Sequence, residues 1–373
     1  MPQDHSIRTD SKWLIKIENK NTKRIVKNKS RENQMAQIET EQLQLKEIYQ
    51  LSFDIFSKYG CDNNNATALA RTVETAERDG SLSHGLFRIP GYIASLKSGK
   101  VKGSAQPKVE NNMASIVSVD ADHGYAPFAL ERGLPVLAQA ANQTGIAIMK
   151  ITNTFHFAAL WPETEFLAEK GLVGVACTVY KPAVAPAGAG QAFFGTNPLS
   201  FAWPRPGKTP VVFDMATSTL AMGDVQIAAR DGHELPHGTG LGPDGKPSDD
   251  PAEILKGVLL PFGGYKGSAI SLMVELLSAG MTGDNFSYEA GENENNDGGP
   301  TKGGELVIAI NPELVAGAGW ADHSEGFFQK LEELEGIRVP GERRHKNRLD
   351  LGARNINKEL LEKLRDLLQA VYP

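Results

Sequence analysis

The feature that most constrains the fold of this chain is an alternation of short apolar runs and amphipathic stretches that begins near Ser115. The apolar runs occupy residues 115–119, 146–151 and 172–179, and the stretches with helical spacing occupy residues 126–142 and 158–170. Strands that alternate with helices in this way are typical of an α/β domain. The sequence therefore predicts a β-sheet flanked by helices in the middle of the chain.

Further β-rich runs refine this prediction. They occupy residues 199–203, 211–213 and 306–310, and Gly and Pro turns join them, in part without an intervening helix. Strands joined by short turns pair antiparallel, whereas parallel strands need a long crossover. We therefore expect an α/β (α+β) fold with a mixed, largely antiparallel sheet.

Composition and periodicity divide the chain into three regions. Residues 1–34 are rich in Lys, Arg and Asn, which predicts a disordered basic arm, or residues upstream of a natural start at Met35. Apolar residues at helical spacing in 35–112 predict an N-terminal helical lobe, which we expect to pack with the C-terminal helical segment 340–373. Residues 113–339 form the expected central α/β domain.

Composition and charge also restrict the classes of function. The 373 residues are 40% hydrophobic and 23% charged, as is usual for a soluble globular protein. The net charge of −6 argues against a nucleic-acid partner, because phosphate backbones are bound by clustered positive charge. No apolar run is long enough to span a membrane. A small-molecule partner is therefore expected.

The cysteines bear on the compartment and on metal binding. Only Cys61 and Cys177 are present, and Cys177 lies in an apolar run. This pattern indicates neither a disulfide framework nor a thiolate metal site. We expect a cytoplasmic protein without a metal.

One short stretch, Ser83-His84-Gly85-Leu86-Phe87-Arg88, combines a proton donor with a cation that binds carboxylates. If a helix runs from Leu86 to Ser98, His84 and Arg88 lie near one another at its start. Histidine exchanges protons near neutral pH, and arginine binds a carboxylate through two parallel hydrogen bonds. The pair suits a small anionic substrate, although a helix cap at Ser83 and a solvated charge at Arg88 also explain these residues.

Two motif matches are rejected because their context is wrong. Residues 240–245 match the dinucleotide-binding fingerprint of the Rossmann fold, but they do not lie between a strand and a helix. Residues 233–237 match a zinc-binding motif, but Pro236 would break the helix that must hold both histidines on one face. Neither match predicts a site.

The remaining unusual residues form blocks with a recognisable order. They are Asn153-Thr154-Phe155-His156-Phe157-Ala158-Ala159-Leu160, Gly195-Thr196-Asn197-Pro198, Asp214-Met215-Ala216, Met222-Gly223-Asp224, Gly263-Gly264-Tyr265-Lys266-Gly267 and Pro340-Gly341-Glu342-Arg343-Arg344. Together with Ser83–Arg88, these blocks resemble the type 2 malate/L-lactate dehydrogenase family over residues 37–370. The resemblance implies a non-Rossmann fold with a mixed, largely antiparallel sheet, a central domain that binds a nicotinamide cofactor, and a homodimer with its site near the subunit boundary.

One block departs from most of that family. Most members have a small, glycine-containing stretch after the histidine that corresponds to His156, whereas this chain has Phe157-Ala158-Ala159-Leu160-Trp161-Pro162. In this respect it looks like the branch of NADPH-dependent ketimine reductases that convert Δ1-piperideine-2-carboxylate to L-pipecolate and Δ1-pyrroline-2-carboxylate to L-proline. A 2-hydroxy-acid dehydrogenase of the same fold and a ligand-binding protein without turnover remain the alternatives.

The resemblance also assigns roles to individual residues. His84 would be the proton donor with Ser83 and Asp224 as relay partners, and Arg88 would bind the substrate, aided by Thr196 and the backbone of Met222 and Gly223. The cofactor would contact His156, Phe157, Ala158, Ala159, Leu160, Asp214, Met215, Ala216, Tyr265, Lys266, Pro340, Gly341, Glu342, Arg343 and Arg344. Paired guanidiniums at Arg343 and Arg344 suit a phosphate, which favours NADPH over NADH.

The chemistry of these residues supports a reduction next to a carboxylate. Such a reaction needs a hydride donor, a proton for the heteroatom and a cation for the carboxylate. We expect Asp224 to keep His84 charged, because a nearby carboxylate favours the imidazolium. A cyclic imine can also arrive already protonated, in which case His84 matters less for imines than for oxo acids.

Overall fold

The computed structural model describes residues 39–371, and the basic arm predicted for residues 1–34 lies outside them. The helices are α1 (Leu45–Lys58), α2 (Asn63–Asp79), α3 (Ile89–Lys97), α4 (Ala126–Thr144), α5 (Trp161–Glu169), α6 (Met222–Asp231), α7 (Pro251–Ile254), α8 (Tyr265–Glu275), α9 (Ser287–Glu292), α10 (Pro312–Ala316), α11 (Trp320–Glu332), α12 (Glu342–Leu349) and α13 (Lys358–Gln369). Two short 3-10 turns, Leu82–His84 and Leu86–Arg88, connect α2 to α3. None of the helices in this part of the chain is long and apolar enough to cross a membrane.

The strands build one main sheet and two small ones. They are β1 (Thr40–Leu43), β2 (Lys108–Met113), β3 (Ile116–Asp120), β4 (Ile146–Phe155), β5 (Val173–Thr178), β6 (Leu199–Trp203), β7 (Val211–Met215), β8 (Gly240–Leu241), β9 (Pro247–Ser248), β10 (Val258–Leu259), β11 (Lys302–Ile310) and β12 (Arg354–Asn357). The main sheet has the order β2-β3-β4-β11-β5-β6-β7. β3 and β4 are parallel, and the other neighbouring pairs are antiparallel. The predicted mixed sheet flanked by helices is confirmed.

Helix α4 covers one face of this sheet because its apolar residues recur at helical spacing. Leu130, Leu134 and Leu137 are buried in one cluster with Val119 of β3 and Met149 of β4. The inward residues of β3 alternate with more exposed ones, as expected for a strand with one covered face. The apolar period of each element therefore determines how helix and sheet pack.

A second core joins the N-terminal helices to the end of the chain. It includes Ile48 and Phe56 of α1, Leu69 of α2, Ile93 of α3 and Leu361 of α13. The same cluster also contains aromatic residues from the region that we predicted as the central domain, Tyr125, Phe155 and Phe157. The division into a helical lobe (35–112 with 340–373) and a central domain (113–339) stays a prediction.

The two rejected motifs lie in a small region with little regular structure. Residues 240–248 include the paired strands β8 and β9, with a left-handed turn at Gly245, and no helix begins at the fingerprint. Residues 233–237 are not helical, and His237 contacts Asp249 at the surface. The structure thus places neither motif in the context that its chemistry requires.

Candidate active site

His84 and Arg88 lie on two separate 3-10 turns, and not at the start of one α-helix as the sequence predicted. A glycine separates the turns, and the second one leads directly into α3. Pro90 stands in the first turn of α3, where a proline is tolerated because that position has no helical hydrogen bond to lose. Between the two turns, the backbone N–H of Leu86 donates to Oε1 of Glu77 at 2.8 Å. A side chain of α2 therefore helps to set the backbone between His84 and Arg88.

The N terminus of α6 packs against these turns. A Cβ atom at Gly223 would lie 2.6 Å from Nη2 of Arg88 and 2.9 Å from Cβ of Ser83, so a larger residue does not fit. Met222 and Asp224 flank Gly223 in the chain. The structure therefore brings the predicted block 222–224 next to the predicted stretch 83–88.

His84 is held in its neutral form. Its Nδ1 lies 3.1 Å from Oγ of Ser83. Burial, followed by the positive charges of Arg88 and His156, lowers the pKa of His84 to about 3. Asp224 is exposed, and its charge acts on Arg88 and not on His84. The expectation that Asp224 keeps His84 charged is therefore wrong, because the imidazole is desolvated beside cations.

The guanidinium of Arg88 lies on an aromatic wall. Its Cζ is 4.5 Å from the centre of the Phe157 ring. The Phe157 ring meets the Tyr92 ring edge-on, with 5.2 Å between the ring centres. It is stacked with the Tyr180 ring, with 6.5 Å between the centres. Nη1 of Arg88 is 3.4 Å from Oε1 of Gln226, and its Nε has no hydrogen-bond partner in the described part of the chain. A half-buried guanidinium with an unused donor beside a cavity is suited to bind a carboxylate.

A cavity of about 570 Å³ opens beside this guanidinium. Its walls include Arg88, Phe157, Tyr180, Met222, Gln226, Lys181, Arg230 and Lys363. This volume is in the range of small-molecule sites. Of the predicted site residues, the cavity wall contains Arg88, Phe157 and Met222, whereas His84 and Asp224 are not among the described residues that line it.

His156 is buried between two carboxyl groups. Its Nε2 lies 3.4 Å from Oε1 of Glu163 and 3.6 Å from Oε2 of Glu305. Burial would lower the pKa of His156, but Glu305 and Glu163 outweigh it and raise the pKa to about 9. Burial also raises the pKa of Glu305 to about 8, against the effect of His156. The cofactor role of His156 stays a prediction.

These three groups also bear on metal binding. One donor atom from each of His156, Glu163 and Glu305 lies within 4.8 Å of the others, which is close enough to hold one ion. Both oxygens of Glu305 are buried without a hydrogen-bond partner in residues 39–371. The expectation that the protein binds no metal therefore stays a prediction.

Three of the predicted cofactor segments meet at the end of β7. Oδ2 of Asp214 accepts hydrogen bonds from the backbone N–H groups of Leu160 at 2.8 Å and Trp161 at 3.0 Å. Arg344 lies over the Trp161 ring, with its Cζ 5.1 Å from the centre, and donates to the carbonyl of Val212 at 2.8 Å. Burial raises the pKa of Asp214 to about 6, against the hydrogen bond from Leu160. The segments 156–160, 214–216 and 340–344 are therefore neighbours.

The fourth segment, Tyr265-Lys266, lies beside the residues that follow Asp214. The N–H of Phe262 donates to the carbonyl of Thr217 at 3.1 Å. Tyr265 is 73% exposed, and Lys266 and Arg343 are also exposed. An exposed aromatic ring and cations near the end of a sheet fit a nicotinamide dinucleotide, because rings stack on bases and Lys and Arg bind phosphates.

Two of the predicted residues have surroundings that the sequence did not indicate. Arg344 packs on Trp161 and is half-buried, whereas Arg343 is exposed. The phosphate-binding role of the pair stays a prediction. Thr196 contacts the end of β7 through its carbonyl, which accepts the N–H of Thr217 at 2.9 Å. This contact brings the block 195–198 to the same region as the cofactor segments.

Sequence reasoning missed several residues that shape this site. They are Glu77, Glu163, Tyr180, Gln226 and Glu305. Gln226 follows Met222 by one helical turn, and this spacing could have identified it. Glu305 is a charged residue directly before the apolar run 306–310 of β11, which is also a visible signal. Glu77 gave no such signal, because its partner is a backbone group.

Comparisons with known proteins agree with this arrangement. The model of the malate/L-lactate dehydrogenase family matches residues 43–365. The chain is 48% identical over 295 residues to a Δ1-pyrroline-2-carboxylate/Δ1-piperideine-2-carboxylate reductase of Pseudomonas syringae pv. tomato, covering 79% of this chain and 86% of the relative. It is 44% identical over 311 residues to a Δ1-pyrroline-2-carboxylate reductase of Ancylobacter novellus, and the match covers 82% of this chain and 91% of that relative.

A solved structure shows the same fold. The crystal structure of Δ1-piperideine-2-carboxylate reductase from Pseudomonas syringae matches with a TM-score of 0.83 and 45% identity, and the match covers 88% of this chain and all of that one. The resemblance inferred from the order of the motifs is thereby confirmed. The chain belongs to the malate/L-lactate dehydrogenase family.

Proposed function

We propose that the protein is an NADPH-dependent reductase of cyclic ketimines, which converts Δ1-piperideine-2-carboxylate to L-pipecolate and Δ1-pyrroline-2-carboxylate to L-proline. The observation that carries this proposal is the half-buried Arg88 guanidinium, whose buried Nε is an unused donor and which lies on an aromatic wall beside a cavity of small-ligand size. The names of the relatives at 44% and 48% identity support the same two imines.

The cavity suits an acid with an apolar ring. Arg88 binds the carboxylate, with Thr196 and the backbone of Met222 and Gly223 as further contacts. Phe157 and Tyr180 offer ring faces to the methylene groups of a cyclic substrate. A substrate hydroxyl placed against these ring faces would lose its hydrogen bonds to water without gaining others, which costs free energy. An aromatic wall therefore favours a cyclic imino acid over a hydroxy acid.

The charge state of His84 supports an imine as well. A cyclic imine that is protonated in solution carries its own proton into the site, so its reduction needs no imidazolium. Asp224 follows Gly223, which packs against Arg88, and we propose that its negative charge helps to stabilise the iminium. An oxo acid must instead receive a proton from His84, with Ser83 at its Nδ1, and the low pKa of His84 makes that form rare at neutral pH.

We propose that the cofactor segments hold NADPH without a Rossmann arrangement. A bound nicotinamide supplies the hydride. Asp214 fixes the start of α5 through Leu160 and Trp161, and this places the predicted residues 156–160 beside 214–216. The exposed cations Lys266 and Arg343 are suited to phosphate groups, which favours NADPH over NADH.

We also propose that two copies form a homodimer. Large apolar side chains on and after α8 are exposed, namely Leu272 at 50%, Leu276 at 53% and Met281 at 55%. Contiguous apolar surface of this kind marks an association site. Because Tyr265 stands at the start of the same helix, a partner on this face would lie near the cofactor residues.

The two buried free cysteines are compatible with the expected cytoplasm.

A substrate panel tests the proposed function. We expect rapid loss of nicotinamide absorbance with NADPH and either cyclic imine, and slow loss with pyruvate. A clear preference for pyruvate would favour the second candidate, a 2-hydroxy-acid dehydrogenase, for which the contact between Ser83 and His84 is the supporting observation. Cofactor binding without turnover of any imine or oxo acid would favour a ligand-binding protein.

A further inference from the structure

Glu77 is a buried carboxylate that the proposed reaction does not use. It lies in the last turn of α2 and is only 4% exposed. Its Oε1 accepts the backbone N–H of Leu86 at 2.8 Å. Leu86 opens the second 3-10 turn, so this hydrogen bond is made between the turn that carries His84 and the turn that carries Arg88.

The same side chain is packed against the glycine that separates the turns. A Cβ atom at Gly85 would lie 2.6 Å from Cδ and 2.9 Å from Cγ of Glu77. The φ angle of Gly85 is −95°, so no left-handed backbone requires a glycine here. The space taken by the carboxyl group of Glu77 is what excludes a side chain.

The burial of this group is costly and points to a specific use. Oε2 of Glu77 has no hydrogen-bond partner in the described part of the chain. Burial raises the pKa of Glu77 to about 7, although the hydrogen bond from Leu86 opposes the rise. Buried polar groups without partners are rare in folded proteins and call for a reason. The hydrogen bond that Oε1 accepts from Leu86 and the packing of the carboxyl group against Gly85 provide such a reason.

We propose that Glu77 is a positioning residue, whose carboxyl group fixes the peptide between His84 and Arg88 and so sets the spacing between the proton donor and the carboxylate-binding cation. Its effect on catalysis rests on the proposed function. A shift of this turn by about 1 Å would misplace both groups with respect to one substrate, and misplacement on this scale costs about 100-fold in rate.

The first experiment separates positioning from general stability. Glu77→Leu removes the acceptor, Glu77→Gln keeps an oxygen that can accept the Leu86 N–H, and Asp62→Ala removes the N-cap at the other end of the same helix, where Asp62 accepts the N–H of Asn65. KM and kcat with Δ1-pyrroline-2-carboxylate, the dissociation constant of NADPH and the melting temperature are measured for each variant.

We expect Glu77→Leu to raise KM or lower kcat so that kcat/KM falls about 100-fold, with NADPH binding unchanged. Glu77→Gln should stay within about threefold of the wild type, because the hydrogen bond survives. Asp62→Ala should lower the melting temperature and leave KM unchanged. The proposal is wrong if Glu77→Leu lowers only the melting temperature, if it weakens NADPH binding in parallel, or if Glu77→Gln is as damaging as Glu77→Leu.

The second experiment does not depend on any substrate. In a double-mutant cycle of Glu77→Ala and Gly85→Ala, we expect Gly85→Ala to destabilise the wild type and to cost much less in the Glu77→Ala background, because the new Cβ fills the vacated space. Additive effects would overturn the proposed contact. If the wild type reduces no imine but the cycle shows coupling, the proposed function fails and the contact stands.

Discussion

Two histidines in this protein, one half-buried and one buried, have opposite charge states. Burial, with Arg88 and His156 nearby, lowers the pKa of His84 to about 3. Burial acts in the same direction on His156, but two carboxyl groups within 3.6 Å outweigh it and the pKa rises to about 9. Burial acts in the same direction on both pKa values, so the difference comes from the charges of the neighbours.

The comparison shows how the fold assigns different tasks to one residue type. His84 follows a helix end and faces cations, so it can accept a proton but holds one weakly. His156 follows β4, and Glu163 of α5 and Glu305 of β11 come from other parts of the chain. Only the folded sheet creates its surroundings. His84 thus releases a proton readily, whereas His156 is held in its charged form by its two carboxyl neighbours.

The largest effect is expected for Arg88, whose charge helps to lower the pKa of His84. Arg88→Met should lower kcat/KM for a cyclic imino acid by about 1,000-fold, because a lost buried partner of a carboxylate costs several kcal/mol. The pKa of His84, followed by NMR, should rise. Arg230→Met on the same cavity wall is the control, since Arg230 already pairs with Asp231, and we expect a loss of less than about fivefold. A loss of similar size in both variants would contradict the role of Arg88.

The next effect separates imines from oxo acids at His84. His84→Asn should lower kcat/KM for an oxo acid by about 100-fold, since general acid catalysis typically contributes that much, and by less than about tenfold for a cyclic imine. The exposed His323 gives the control variant His323→Asn, which should change neither rate. Equal damage to imine and oxo-acid reduction would refute the idea that the imine brings its own proton.

Glu305 tests the other histidine. Glu305→Leu should lower the free energy of unfolding by about 3 kcal/mol, as expected when one partner of a buried charged cluster is removed. Glu305→Gln should cost less, because the amide keeps the shape of the side chain and an oxygen that faces His156 and loses only the charge. Chemical denaturation measures both. If Gln is as harmful as Leu, the full negative charge is needed, and metal content should then be measured.

The pH dependence of stability reports on both histidines. The lowered pKa of His84 contributes stability above about pH 6.5, which is lost as the pH falls and the unfolded chain binds the proton. The raised pKa of His156 contributes stability below about pH 6.5, which is lost as the pH rises toward 9. His84→Gln should flatten the acid side of the profile and His156→Gln the alkaline side.

Thermal unfolding between about pH 5 and 9.5 measures these slopes. Glu325→Gln is the control, because Arg205 and Lys208 lower the pKa of this surface carboxyl to about 2, so it does not titrate in this range. An unchanged alkaline slope in His156→Gln would show that His156 is not held charged by Glu163 and Glu305.

The sequence predicted what depends on local period and on motif order. The helical spacing in residues 126–142 indicated a helix on the sheet, and the order of the motif blocks indicated the family. It did not predict the charge of His84, because that depends on cations brought close by folding. Nor did it predict the break in the expected helix, which depends on a hydrogen bond from Leu86 to Glu77. Contacts between distant residues were beyond the reach of period and spacing.

The position of β11 has a consequence for how this protein is made. β11 is the middle strand of the sheet and pairs with both β4 and β5, yet residues 179–301 must be synthesised before it leaves the ribosome. Until then, β4 and β5 have open edges that can pair with other chains. We expect the nascent protein to depend on chaperones until β11 has been translated and can pair with both strands.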